Sequence, residues 1–214
     1  MDAALDALRR GPRGVPGRQG PPAAYGPLAQ RIAAHGYLVV VVSMPLNMAF
    51  LGSNAANDVI RQHPEVHRWA IAGHSLGGAM AAQYISSNPG VMRGLALWAA
   101  YSASDISGSG AACTSAYGTL DAGADKITSP ESRKLLPPDC VFVTIEGGNH
   151  EQMGWYTGQP NDSPATISRD EQQGKVAEAT LEMLARVQAQ PDQFPPTPGA
   201  SGAPAGSSAA PSGS

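Results

Sequence analysis

Between roughly Pro16 and Ala189 the chain alternates short apolar runs with stretches whose apolar residues recur at helical spacing, the order expected of a parallel sheet wrapped by helices. Residues 27–35 read as a helix, with Leu28, Ile32 and Ala33 on one stripe and Gly36 placed to stop it. Residues 37–42 follow as a continuous β-branched run, the pattern of a strand buried on both faces. A second helix is predicted over 48–62 and is ended by the His63-Pro64 pair. Residues 69–72 form a short strand, and 76–87 a helix rich in small residues until Pro89 prevents continuation. Further strands are predicted over 94–100, 113–117 and 140–145, with a short helix around 130–136 between the last two. A helix over about 168–188 closes the pattern, where Ser168 and Glu171 have capping-box spacing. The expectation is an α/β domain over residues 16–190 with a mostly parallel sheet of about five or six strands.

Length and charge narrow the function classes. At 214 residues, 42% hydrophobic and 14% charged, the chain suits one domain with a sizeable core. A formal net charge of -3 offers no basic surface for phosphate backbones, so nucleic acid is not an expected partner. No apolar segment approaches the roughly 18 residues that span a bilayer, and the first ten residues lack a basic start followed by an apolar signal core. As written, the chain is expected in the cytoplasm, with secretion open if a signal precedes it. Residues 191–214 are almost entirely Pro, Gly, Ser and Ala beyond Phe194, and are expected to be a disordered tail. The two cysteines, Cys113 and Cys140, cannot build a disulfide framework or a metal site by themselves and are expected as buried thiols. Each starts an apolar run, however, and neighbouring parallel strands would bring the sulfurs close.

The chemistry concentrates in Gly73-His74-Ser75-Leu76-Gly77, a G-x-S-x-G pattern between a strand-like and a helix-like run. Glycine supplies 25 of the 214 residues, so the pattern is cheap by composition and its context must carry the argument. A serine hydroxyl needs a base to take its proton and a third group to orient that base. Asp121 follows the strand 113–117, and His150 follows the strand 140–145 in Gly147-Gly148-Asn149-His150. All three residues then fall at the carboxyl edge of one parallel sheet, where open α/β sheets bind ligands. Asp125 is a rival acid, less directly placed after its strand. His63 and His67 share the i,i+4 spacing of metal ligands, but Pro64 breaks that helix and no third ligand stands out, so neither a metal nor a cofactor is expected.

The chain resembles the α/β-hydrolase superfamily, in which the order is serine, acid, histidine. The phrases Tyr25-Gly26-Pro27-Leu28-Ala29, Met44-Pro45-Leu46-Asn47, Gly73 to Gly78 and Glu146-Gly147-Gly148-Asn149-His150 resemble the small lidless group called α/β-hydrolase fold-5. That resemblance implies a three-layer α/β-hydrolase-like sandwich without a cap domain, and the short segment 101–112 agrees. It implies Ser75 as nucleophile, His150 as general base and then acid, and Asp121 as the group that fixes the histidine tautomer. It implies oxyanion donors at Leu76 and at Gly17 or Arg18, and a substrate pocket reached by Met44, His74 and Trp155. Gly73 and Gly77 are expected to be small because side chains beside the strained serine would collide.

The N-terminus departs from that pattern. The family's central strand would fall on residues 7–15, where three arginines and Pro12 are ill suited to a position buried on both faces. Residues 1–15 are therefore expected to be an atypical segment, as truncation or a shifted reading frame would leave it. Function is expected to be ester hydrolysis on a small-molecule substrate through an acyl-enzyme, with thioester hydrolysis and acyl transfer sharing the chemistry. A weakened or non-enzymatic relative with an incomplete oxyanion hole is the alternative.

Overall fold

The computed structural model describes residues 22–42 and 55–191. After a 3-10 turn at Pro22–Tyr25 come α1 (Gly26–Ala33), α2 (Ala55–Gln62), β1 (Trp69–His74), α3 (Leu76–Ser87), β2 (Met92–Trp98) and β3 (Ala112–Gly118). Then follow α4 (Ala124–Thr128), α5 (Pro130–Lys134), β4 (Val141–Ile145), a 3-10 turn at Glu151–Met153 and α6 (Arg169–Ala189). Among the described residues the sheet has four strands in the order β1-β2-β3-β4, all parallel. Sequential parallel neighbours require crossovers, and helices supply them on both faces.

Two apolar layers hold the sheet. One places Leu28 and Ile32 of α1 and Val176, Met183 and Val187 of α6 against Ala96, Trp98, Ala116 and Ile145. The other places Ile60 of α2 and Ala81, Ala82 and Ile85 of α3 against Leu95, Leu97 and Cys113. Every residue of β2 and β3 is buried, in keeping with a composition that is apolar or small apart from Arg93 and a few hydroxyl-bearing residues. Small residues of α3 lie close on the sheet: a Cβ on Gly78 would overlap the Ala100 methyl. Helix α6 starts as its capping-box spacing predicts, with the Ser168 hydroxyl accepting from the Glu171 amide at 3.1 Å.

Several expectations are corrected. Residues 37–42 join no ladder among the described residues, and Leu38 and Val40 are each 41% exposed. A strand with no hydrogen-bonded neighbour on either side cannot be registered, however β-branched its sequence. The strand predicted over 94–100 lies two residues earlier, because Ala99 turns to a positive φ of 48° immediately after Trp98. Helix α4 was not predicted. Cys113 and Cys140 are not free thiols but a disulfide, with Cα atoms 4.4 Å apart across the β3–β4 pair. The atypical segment 1–15, on which the family's central strand would fall, the first part of the helix predicted over 48–62 and nearly all of the tail lie outside the described residues.

Candidate active site

The turn from β1 into α3 places Ser75 at φ 54° and ψ −124°, a conformation that side-chain-bearing residues rarely adopt. The Ser75 amide donates to the Trp98 carbonyl at 3.0 Å, tying the turn to β2. The tightness falls on two glycines. A Cβ on Gly73 would overlap the Gly77 carbonyl group, and one on Gly78 would approach the Gly73 carbonyl oxygen to 2.8 Å. Gly77 itself faces open space, so the expectation that both neighbours of the serine must be small for lack of room holds only for Gly73. Leu76 is the first residue of α3, where amide groups have no intrahelical acceptor.

Asp121 and His150 meet although 29 residues separate them. The His150 Nδ1 lies 3.0 Å from Asp121 Oδ2, and the Asp121 side chain is only 1% exposed. The other carboxylate oxygen of Asp121 accepts from the Gly123 amide at 2.7 Å, which fixes the carboxylate plane. Asp125, the rival acid, is exposed in the first turn of α4.

The loop carrying His150 is clamped by polar residues that the spacing did not single out. Gln172, fully buried on α6, accepts from the Asn149 amide at 3.0 Å and donates to the Asn149 carbonyl at 2.7 Å. Asn149 in turn donates to the Ser163 carbonyl and accepts from the Gln152 amide. Asp162 accepts from the amides of His150 and Glu151 at 3.1 and 2.8 Å, and burial raises its pKa. Arg169 donates to the carbonyls of Glu151, Gly154 and Tyr156, closing the loop against α6. A Gln and an Arg inside a helical repeat read as surface residues, so only their burial identifies them.

His74 stands between the serine turn and His150. Its ring centroid is 4.5 Å from that of His150, and its Nδ1 is 2.8 Å from the Tyr25 hydroxyl. Burial, and then the neighbouring His150, push the His74 pKa down to about 3. Burial also raises the Tyr25 phenol to about 12, so this pair stays neutral, with the phenol able to donate to the imidazole. His74, Ser75, His150 and Tyr156 line one cavity of about 710 Å³. Trp155 is 54% exposed, donates to the Gln173 side chain and is absent from that lining. Trp98 donates to Thr180 and sits in the core. Gly17, Arg18 and Met44 lie outside the described residues. No group of three or more potential metal ligands occurs among the described residues.

Comparison with known proteins agrees with this architecture. Residues 15–174 match the family described as "Alpha/beta hydrolase family". A monoacylglycerol lipase from Paleococcus ferrophilus is similar at 16% identity and a TM-score of 0.53, over 74% of this chain and 89% of that one. Thermogutta terrifontis esterase 2 is similar at 17% identity and a TM-score of 0.49, over 81% of each chain. A predicted CIB-like hydrolase from Thermoplasma acidophilum is similar at 15% identity and a TM-score of 0.48, over 67% of this chain, which spans 63% of that protein's length. No curated protein matches the chain in sequence. With a family match over most of its length, a parallel sheet covered by helices on both faces and no cap domain evident, the chain belongs to the alpha/beta hydrolase family.

Proposed function

We propose that the protein is a serine hydrolase that cleaves carboxylic esters through an acyl-enzyme, with Ser75 as nucleophile, His150 as general base and then acid, and Asp121 as the group that orients His150. The observation that carries this reading is the bond of His150 Nδ1 to a buried Asp121 carboxylate at the sheet edge that also bears the strained Ser75 turn. With Nδ1–H donated to Asp121, the imidazole presents Nε2 for the serine proton, the tautomer that this chemistry needs. Attack of Ser75 Oγ on the ester carbonyl would form a tetrahedral oxyanion, and the Leu76 amide at the start of α3 is the donor we assign to it. His150 would then protonate the departing alcohol, and water activated by the same imidazole would release the acid.

The experiment is covalent labelling with a fluorophosphonate, followed by nitrophenyl esters of graded acyl length. Ser75 should be labelled in the folded wild type and not in Ser75→Ala, and His150→Ala should lose ester turnover by about 10³-fold or more. Folded protein that takes no label would overturn the proposal. Labelling with turnover lower by about 10²- to 10³-fold than in related esterases would point to a missing second oxyanion donor.

A further inference from the structure

The bond to Asp121 holds His150 by its ring, but a ring is aimed no better than the backbone that carries it. His150 stands at the start of the 3-10 turn Glu151–Met153, whose first internal bond runs from the Met153 amide to the His150 carbonyl. The amides of His150 and Glu151 precede that bond and have no acceptor within the turn. Asp162 accepts from both. One carboxylate oxygen takes the His150 amide at 3.1 Å and the other takes the Glu151 amide at 2.8 Å. Two bonds to two oxygens fix the orientation of the turn, whereas one would leave it free to swivel.

Asp162 is itself held in place. Asn161 before it takes a φ of 62°, a left-handed conformation that asparagine tolerates. The Ser163 carbonyl after it accepts from the Asn149 side chain at 2.8 Å, so the residue before His150 and the residue after Asp162 are joined as well. The titratable groups that face Asp162 are Asp121, His150 and the Tyr156 phenol. Burial raises the Asp162 pKa, the amides of Glu151 and His150 oppose the rise, and then Asp121 raises and His150 lowers it.

Two carboxylates from different loops therefore meet at one histidine. Asp121, which follows β3, takes the ring; Asp162, 12 residues beyond His150 on the way to α6, takes the amide. Any shift at that amide carries directly to the imidazole, because only the Cα and two side-chain torsions separate them. A misplacement of roughly 1 Å at reacting atoms can cost about 10²-fold in rate.

We propose that Asp162 is a positioning residue of the site, one that holds the His150 backbone where the imidazole, steadied by Asp121, is presented to Ser75. The inference rests on the hydrolytic reading of Ser75 and His150.

The test compares the full 214-residue chain with Asp162→Asn and Asp162→Ala, by fluorophosphonate labelling and nitrophenyl acetate turnover. Asparagine keeps the volume and one accepting oxygen but turns an NH2 group towards the second amide. In the folded variants kcat should fall by about 10- to 100-fold with KM within about twofold, since the seat of the base is disturbed rather than that of the ester. The gap between wild type and Asp162→Asn should also close as pH falls, because the wild-type carboxyl then becomes neutral and loses an acceptor of its own. A role confined to folding would move the thermal midpoint without that convergence. Active wild type with both folded variants within about twofold of its kcat overturns this inference alone, as does a loss of kcat that stays constant with pH. Wild type that neither labels nor turns over overturns the hydrolytic reading, and this inference with it. Should Asp162→Ala not fold, Asp162→Asn decides by the same measures.

Discussion

At the scale of single residues, the serine turn distributes its constraints unevenly. Gly73→Ala should cost about 3 kcal/mol, because its methyl meets backbone rather than a flexible side chain. Gly77→Ala should cost well under half of that, since nothing lies within 4 Å of its Cβ; denaturant unfolding of the two variants checks the contrast. On the proposed mechanism, Asp121→Asn should leave the fold intact yet reduce ester turnover by about 10³- to 10⁴-fold through loss of the imidazole tautomer that mechanism needs, with Asp125→Asn near wild type. His74 carries a pH signature. Its folded-state pKa is depressed from 6.5 to about 3, so between those values the unfolded chain binds a proton that the folded protein refuses. Stability should therefore fall as pH drops from about 6.5 towards 3, by up to about 1.4 kcal/mol per unit from this group. Urea unfolding across that range should show the slope in wild type and a shallower one in His74→Asn. The placing of Ser75, Asp121 and His150 just after β1, β3 and β4 is legible in the sequence, because chain order and strand ends are sequence properties. The partnership of His74 with Tyr25 is not, since it depends on where α1 rests.

At the scale of elements, α6 is the frame on which the histidine loop hangs. Gln172 satisfies both backbone groups of Asn149, one residue before His150. Gln172→Leu keeps the volume and strands a buried N–H and C=O, so it should destabilise by about 2 to 4 kcal/mol. If it also lets the loop drift, ester turnover should fall more than substrate affinity, and rescue by Gln172→Glu should be incomplete because a carboxylate cannot donate to the Asn149 carbonyl. Measurement of kcat and KM for both variants checks this. Sequence periodicity located α6 and its Ser168 cap within a residue, because a helix boundary is a local property. It missed α4 and placed β2 two residues late, since a five-residue helix and the Ala99 turn leave little periodic signal.

For the whole molecule, sequence gave the α/β class, the parallel sheet and the order of its helices, all of which follow from alternating apolar runs. It misjudged residues 37–42, whose composition is that of a central strand but whose pairing depends on a neighbour that composition cannot supply. It also misjudged the cysteines, because a bond between β3 and β4 depends on which strands become adjacent. The position of that bond has a consequence of its own. Cys113 and Cys140 join β3 and β4 at their amino-terminal ends, whereas Asp121 and His150 follow the opposite ends. For a separation of 27 residues the link is worth about 3.5 kcal/mol against unfolding, and dithiothreitol should lower the thermal midpoint accordingly. Because the staple lies remote from the groups proposed to react, reduction should shorten the protein's working lifetime while leaving any initial ester velocity nearly untouched: thiol-rich surroundings would govern endurance rather than catalytic speed.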